Sequence, residues 1–204
     1  MPQTPLGAYV AKLFGATSLQ PLVVGKQNDL LASDLHGAKY TLAYNGSLFQ
    51  GANPTGVTTS AGLATTYVGL CLSNPAASGK NLVVRSVSGL FIVAPATVTG
   101  LGLITGFVAG GVTAHTTALT PQSCIIGTTY AGVAKLDSAC TLVGTPVWSQ
   151  YNAETATATT LPSFNLDLAG AFVIPPGGYC AIGTTIAGPT SGFVGSFQWE
   201  EVAP

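Results

Sequence analysis

Charged side chains are what this chain lacks most: 13 of its 204 residues are Asp, Glu, Lys or Arg, and none occurs in the 49 positions between Arg85 and Lys135. A soluble domain of this length ordinarily carries about 50. A monomer of this mass exposes roughly 9,000 Å², most of which six basic and seven acidic side chains leave uncovered. Gly, Ala, Thr, Ser and Val stand in their place, a mixture that makes strands and turns and a weakly hydrated exterior. The composition suits a subunit of a larger assembly better than a solitary enzyme.

Further shortages exclude further classes. The six cations, Lys12, Lys26, Lys39, Lys80, Arg85 and Lys135, are scattered over a chain of net charge -1, so no basic patch tracks phosphates and direct nucleic-acid binding is not expected. The opening MPQTPLGAYVAKLFGATS has no basic segment leading into an apolar run and no small-residue cleavage site, so export through a cleaved signal is not expected either. One uncharged run, Leu90 to Val112, is long enough to span a bilayer, but its Gly, Pro, Thr and β-branched residues predict two buried strands joined by a turn over Pro95 to Gly100. No membrane association is expected.

The four cysteines, Cys71, Cys124, Cys140 and Cys180, are separated by 52, 15 and 39 residues, with no CxxC and no nearby His, which speaks against metal ligation. Cys71 and Cys180 lie in strand-like runs and read as small hydrophobes. A disulfide between Cys124 and Cys140 is left open by the sequence.

Residues 1–36 read as an arm. Leu6, Val10, Leu13 and Phe14 recur at helical spacing before Gly15, a stripe too short to support itself in water. These four residues are therefore expected to be buried against other chains. From residue 37 to 204 the pattern is β. AKYTLAY, Asn45-Gly46 and SLFQG predict a hairpin with strands over 38–44 and 47–51. Further strands are expected near 67–72, 81–94, 101–109, 123–126, 131–135, 139–143, 162–173, 178–186 and 192–202. Turn signals every 10 to 15 residues and the want of an amphipathic helix predict an all-β, jelly-roll-like antiparallel sandwich behind the arm.

Chemistry-bearing motifs are few. NPAASGKN, from Asn74 to Asn81, has the outline of a phosphate loop but lacks its opening glycine and its magnesium-binding hydroxyl, and LVVRSV after it reads as a strand. A turn carrying a solvated Lys80 is expected. No G-x-S-x-G is present, and His36 and His115 stand in turn-like settings without an obvious nucleophile beside them. The carboxylates Asp29, Asp34, Asp137, Asp167, Glu154, Glu200 and Glu201 offer no evident catalytic pair, and Glu200 and Glu201, adjacent in a strand, point to opposite faces. The aromatics Trp148, Tyr151, Phe164, Phe172, Tyr179, Phe193, Phe197 and Trp199 read as core or interface fillers, with a carbohydrate platform as the alternative. No enzyme activity, cofactor or metal is expected.

Three segments carry a resemblance: Gly37-x-x-Tyr40 leading into Asn45-Gly46-Ser47-Leu48-Phe49; Leu72-Ser73-Asn74-Pro75 through Ser78-Gly79-Lys80-Asn81-Leu82-Val83-Val84; and Phe172-Val173-Ile174-Pro175-Pro176-Gly177-Gly178-Tyr179 through Phe197-Gln198-Trp199-Glu200-Glu201-Val202. Together they resemble small β-rich structural proteins of tailed bacteriophages. The resemblance implies a virion component built on a jelly-roll-like sandwich, such as a head decoration or cement protein. It would form homotrimers, bind the major capsid protein, assemble in the host cytoplasm and use no catalytic residues. A tail or fibre component contacting host glycan is the alternative.

Overall fold

In a computed structural model of the chain, residues 38–154 and 161–203 are described. The arm expected over 1–36, with Leu6, Val10, Leu13, Phe14 and His36, lies outside them. One short helix, α1 (Ala38–Tyr44), precedes eleven strands: β1 (Leu48–Ala52), β2 (Thr66–Ser73), β3 (Asn81–Phe91), β4 (Gly100–Phe107), β5 (Ala114–Leu119), β6 (Gln122–Ser123), β7 (Lys135–Thr141), β8 (Val147–Glu154), β9 (Ser163–Ile174), β10 (Gly178–Thr184) and β11 (Phe193–Val202).

The strands form two antiparallel sheets, in the orders β6-β1-β11-β3-β9 and β5-β7-β2-β10-β4-β8. The all-β sandwich expected from the turn spacing is the architecture found. Its pairing is nested: β1 meets β11, β2 meets β10, β3 meets β9 and β4 meets β8. The chain thus runs out to β4 and returns from β8, and each outgoing strand finds its returning counterpart. β5, β6 and β7 are inserted at the far end of that excursion and extend the two sheets on the side opposite β8 and β9.

The core lies between the sheets. FQWEEV alternates as its period of two requires, with Phe197 and Trp199 inward and Gln198 and Glu200 outward. β11 is a central strand of its sheet. Phe49, Leu82, Val84, Phe91, Phe193, Phe197 and Trp199 face Leu70, Leu72, Leu101, Leu103, Cys180 and Ile182 from the second sheet. Each large side chain fully buried here contributes about 1.5–3 kcal/mol.

The second sheet is also buried on its outer face, where Tyr67, Cys71, Ile104, Cys140, Tyr179 and Ala181 cluster. β10, buried over its whole length, therefore reads as a continuous apolar run. The fit there is close: a Cβ at Gly106 would collide with the hydroxyl end of the Tyr179 side chain.

Residues 38–44 are a helix and not the first strand of a hairpin. Asn45-Gly46 permits either outcome, since both a type I′ turn and a helix C-terminus use positive φ. Gly46, at φ +70°, ends the helix. Ser47 N donates to Leu42 O at 3.1 Å and Gly46 N to Ala43 O at 2.9 Å, the paired bonds of a Schellman cap. Tyr40 and Tyr44, one turn apart, stack with ring centroids at 5.9 Å.

Other boundaries moved as well. The strand expected at 131–135 does not form, and the one expected at 139–143 starts earlier, as β7, which runs from Lys135 through Asp137 and Ser138 to Thr141. The strand near 123–126 shrinks to Gln122–Ser123, and β5 and β8 are additional. Leu90 to Val112 folds as the end of β3, a turn, and β4, as expected, and no helix among the described residues is long and apolar enough to cross a membrane.

Candidate functional site

Most of the described charges are spent in pairs. Lys39 Nζ lies 3.5 Å from Asp167, Lys80 Nζ 3.3 Å from Glu201, and His115 Nδ1 2.8 Å from Asp137, while Arg85 binds Glu200. Among the described cations only Lys135 is in no ion pair. Arg85 reaches its partner because β3 bulges there: Val84 and Ser86 pair with Trp199 and Gln198 of β11, and Arg85 between them is left to turn outward. Pairing removes from the surface much of what little charge the sequence supplied.

The residues singled out for chemistry fall into structural roles. NPAASGKN is the turn from β2 to β3, with a strand after it. Asn74, fully buried, donates from Nδ2 to Lys80 O at 2.8 Å and to Ile174 O at 2.9 Å, tying this turn to the one between β9 and β10. Lys80 is not the solvated cation the sequence suggested. Its partner Glu201 is wholly buried and also accepts from Val133 N at 2.9 Å, Ala134 N at 3.1 Å and the Tyr130 hydroxyl at 3.1 Å. This carboxylate fastens the segment after β6 onto the end of β11. Glu200 and Glu201 point to opposite faces, as expected.

His115 has a partner the sequence did not reveal. β5 places it beside Asp137 of β7, whose side chain is fully buried. Burial pushes the Asp137 carboxyl above its usual range, and the His115 hydrogen bond draws it partly back. Cys140 lies opposite His115 in the ladder, and Cys71 lies opposite Asp137. The hydrogen bond with the Cys140 thiol, and then burial, raise the Cys71 pKa well above its ordinary value. Among the described residues no three of His, Cys, Asp and Glu gather as metal ligands.

All four cysteines are free thiols. Cys124, which accepts a weak 3.8 Å bond from Gln198 Nε2, belongs to the β6 side of the first sheet, and Cys140 to the outer face of the second. The fold keeps that pair apart. Of the aromatics, Phe164, Tyr179, Phe193, Phe197 and Trp199 are core. Trp148 and Tyr151 instead stack on each other at 4.6 Å, with Tyr151 well exposed.

One concave feature is an apolar cleft where the two sheets part at the β8 and β9 edges. It encloses about 360 Å³ between the end of β4, the start of β8 and the end of β9. Phe107, Val147 and Val173 form its mouth at 62%, 57% and 53% exposure, with Phe172, Ile174 and Pro175 behind them. No charged residue lines it. Such a surface can exclude water against another apolar surface. No protein-family model, curated protein or solved structure matches the chain.

Proposed function

We propose that this chain is a structural subunit of a virion, a decoration or cement protein that stabilises a phage head shell as a trimer and works by protein contact without catalysis. One observation carries the reading: most of the described charges are consumed in pairs, Lys135 excepted, while the sandwich edge presents an uncharged apolar cleft. A surface so constituted is stable in water chiefly when another protein covers it. The nested pairing of β1 to β4 with β11 to β8 is the strand order of a jelly roll and supports that finer reading of the sandwich. So does the resemblance of the three segments to phage structural proteins.

A second reading is favoured by the Trp148–Tyr151 stack, whose exposed aromatic face suits a sugar ring. It makes the protein a tail or fibre component that contacts host glycan. Quantitative mass spectrometry of purified particles separates the two, together with rebinding of the full chain to stripped shells. Hundreds of copies per particle and saturable rebinding to shells are expected. A handful of copies confined to tails would favour the glycan reading, and absence from particles would overturn both.

A further inference from the structure

Beyond the cleft, the chain presents one large apolar side chain almost free of its own fold. Ile126 is 94% exposed, and Ile125 beside it is 36% exposed. The pair does not sit on a loose segment. Thr128 N and Oγ1 both donate to Ile125 O, at 3.2 and 2.7 Å, and Ser123 Oγ accepts from Ile125 N at 3.1 Å. Gly127 supplies φ +90° at the third position, so Ile125–Thr128 is a closed turn that holds Ile126 at its tip. The turn follows β6, the edge strand of the first sheet, whereas β9, which lines the cleft, is the opposite edge strand of that sheet. Knob and hole therefore stand on opposite flanks of one molecule.

Their chemistry matches. The knob lies in the stretch of 49 residues without a charge, as does Phe107 of the cleft mouth. The cleft's volume of about 360 Å³ takes the Ile126 side chain with room for part of Ile125. Because the two surfaces differ, contact between copies is heterologous: each copy offers one knob and one cleft, and the chain of contacts either closes into a ring or continues as a filament.

We propose that copies of this chain join head to tail, with Ile126 of one copy seated in the Phe107–Val147–Val173 cleft of the next. This deepens the assembly reading above and rests on it. The test uses the full chain with Ile126→Asp and Val173→Asp, both at exposed positions, with folding checked by circular dichroism; Val147→Asp replaces the second variant if that one misfolds. In analytical ultracentrifugation each variant alone is expected to sediment as a single chain. Mixed in equal amounts they are expected to form a dimer and nothing larger, because one retains its cleft and the other its knob. If the wild-type chain assembles and Ile126→Asp assembles equally well, the knob-in-cleft contact is wrong while the assembly reading stands. Variants that stay apart when mixed also overturn the contact. A wild-type chain that remains single at tens of micromolar overturns assembly by self-association and this contact with it.

Discussion

His115 Nδ1 sits 2.8 Å from Asp137 Oδ2 and is the side-chain partner of a carboxylate with no solvent exposure. The second carboxylate oxygen, Oδ1, is buried and unpartnered. β5, which brings His115, is otherwise exposed on both faces apart from the half-buried Leu119. The pair therefore does two things at once: it compensates a buried acid in β7, and it anchors a strand that has almost no core residues of its own.

Replacing His115 by Ala is expected to destabilise the fold by about 2 kcal/mol, since it removes the side-chain hydrogen-bond partner of a buried carboxyl. Amide hydrogen exchange over Ala114–Leu119 should accelerate more than exchange in β10. His115→Gln, which can still donate, should recover part of the loss. Denaturation midpoints unchanged in His115→Ala would refute the anchoring role.

Stability should also depend on pH through Asp137. Its folded pKa lies above its ordinary value of 3.8, burial being the largest cause. The folded chain then keeps a proton that the unfolded chain has released, so this group's contribution is full below 3.8 and declines as pH rises through the raised folded value. Asp137→Asn removes the titration. The wild-type stability minus that of the variant should fall across this window in thermal melts taken at successive pH values; a difference that rises with pH would contradict the direction of the shift.

Much of the sandwich was legible because its strands bury one face. FQWEEV and NLVVRSVSGLF show that alternation plainly, whereas GYCAIGT, buried on both faces, shows a continuous apolar run; each is a strand close to the expected bounds. β5 was not legible for the converse reason: AHTTAL buries neither face, so no alternation exists to read. In β8 the alternation is broken by register shifts against β4, which leave Ser149 and Asn152 without ladder partners. The start of β7 was missed because Asp137-Ser138 looks like a break, and only the fold supplies His115 across the ladder. The helix at 38–44 was missed because Asn45-Gly46 serves a helix end as readily as a hairpin. The cleft and the Ile126 knob belong to no motif, and they arise from where edge strands stop.

Lys80 and Glu201 should separate in their energetic weight. Lys80→Ala removes one partly exposed donor at 3.3 Å, and with solvent screening the loss is expected to be about 1 kcal/mol. Glu201→Ala instead orphans the amide donors of Val133 and Ala134, while the Tyr130 hydroxyl keeps Ala134 O at 2.9 Å, and is expected to cost about 3 kcal/mol. Urea midpoints measure both. Equal losses would mean that the ion pair, and not the backbone donors, governs how this segment is fastened.

Tyr67 and Tyr179 lie together on the outer face of the second sheet and should respond oppositely to loss of their hydroxyls. The Tyr67 hydroxyl donates to Ile182 O at 2.7 Å and accepts from Leu70 N at 2.8 Å. It fills the gap where the β2–β10 ladder stops at Cys71, so Tyr67→Phe strands a buried N–H and a buried carbonyl and is expected to cost about 2 kcal/mol. The Tyr179 hydroxyl is buried without a partner, and burial pushes its pKa up to about 12, so it stays neutral near pH 7. Tyr179→Phe keeps the ring against Gly106 and removes only the unpaired group, so it is expected to leave stability unchanged or raise it by about 1 kcal/mol. Urea unfolding with unchanged m-values is the comparison to make, because a constant m ties the midpoint shift to the folded state. Destabilisation of both variants by similar amounts would show that the Tyr179 hydroxyl has a bonding partner after all, and the account of this face would have to be redrawn.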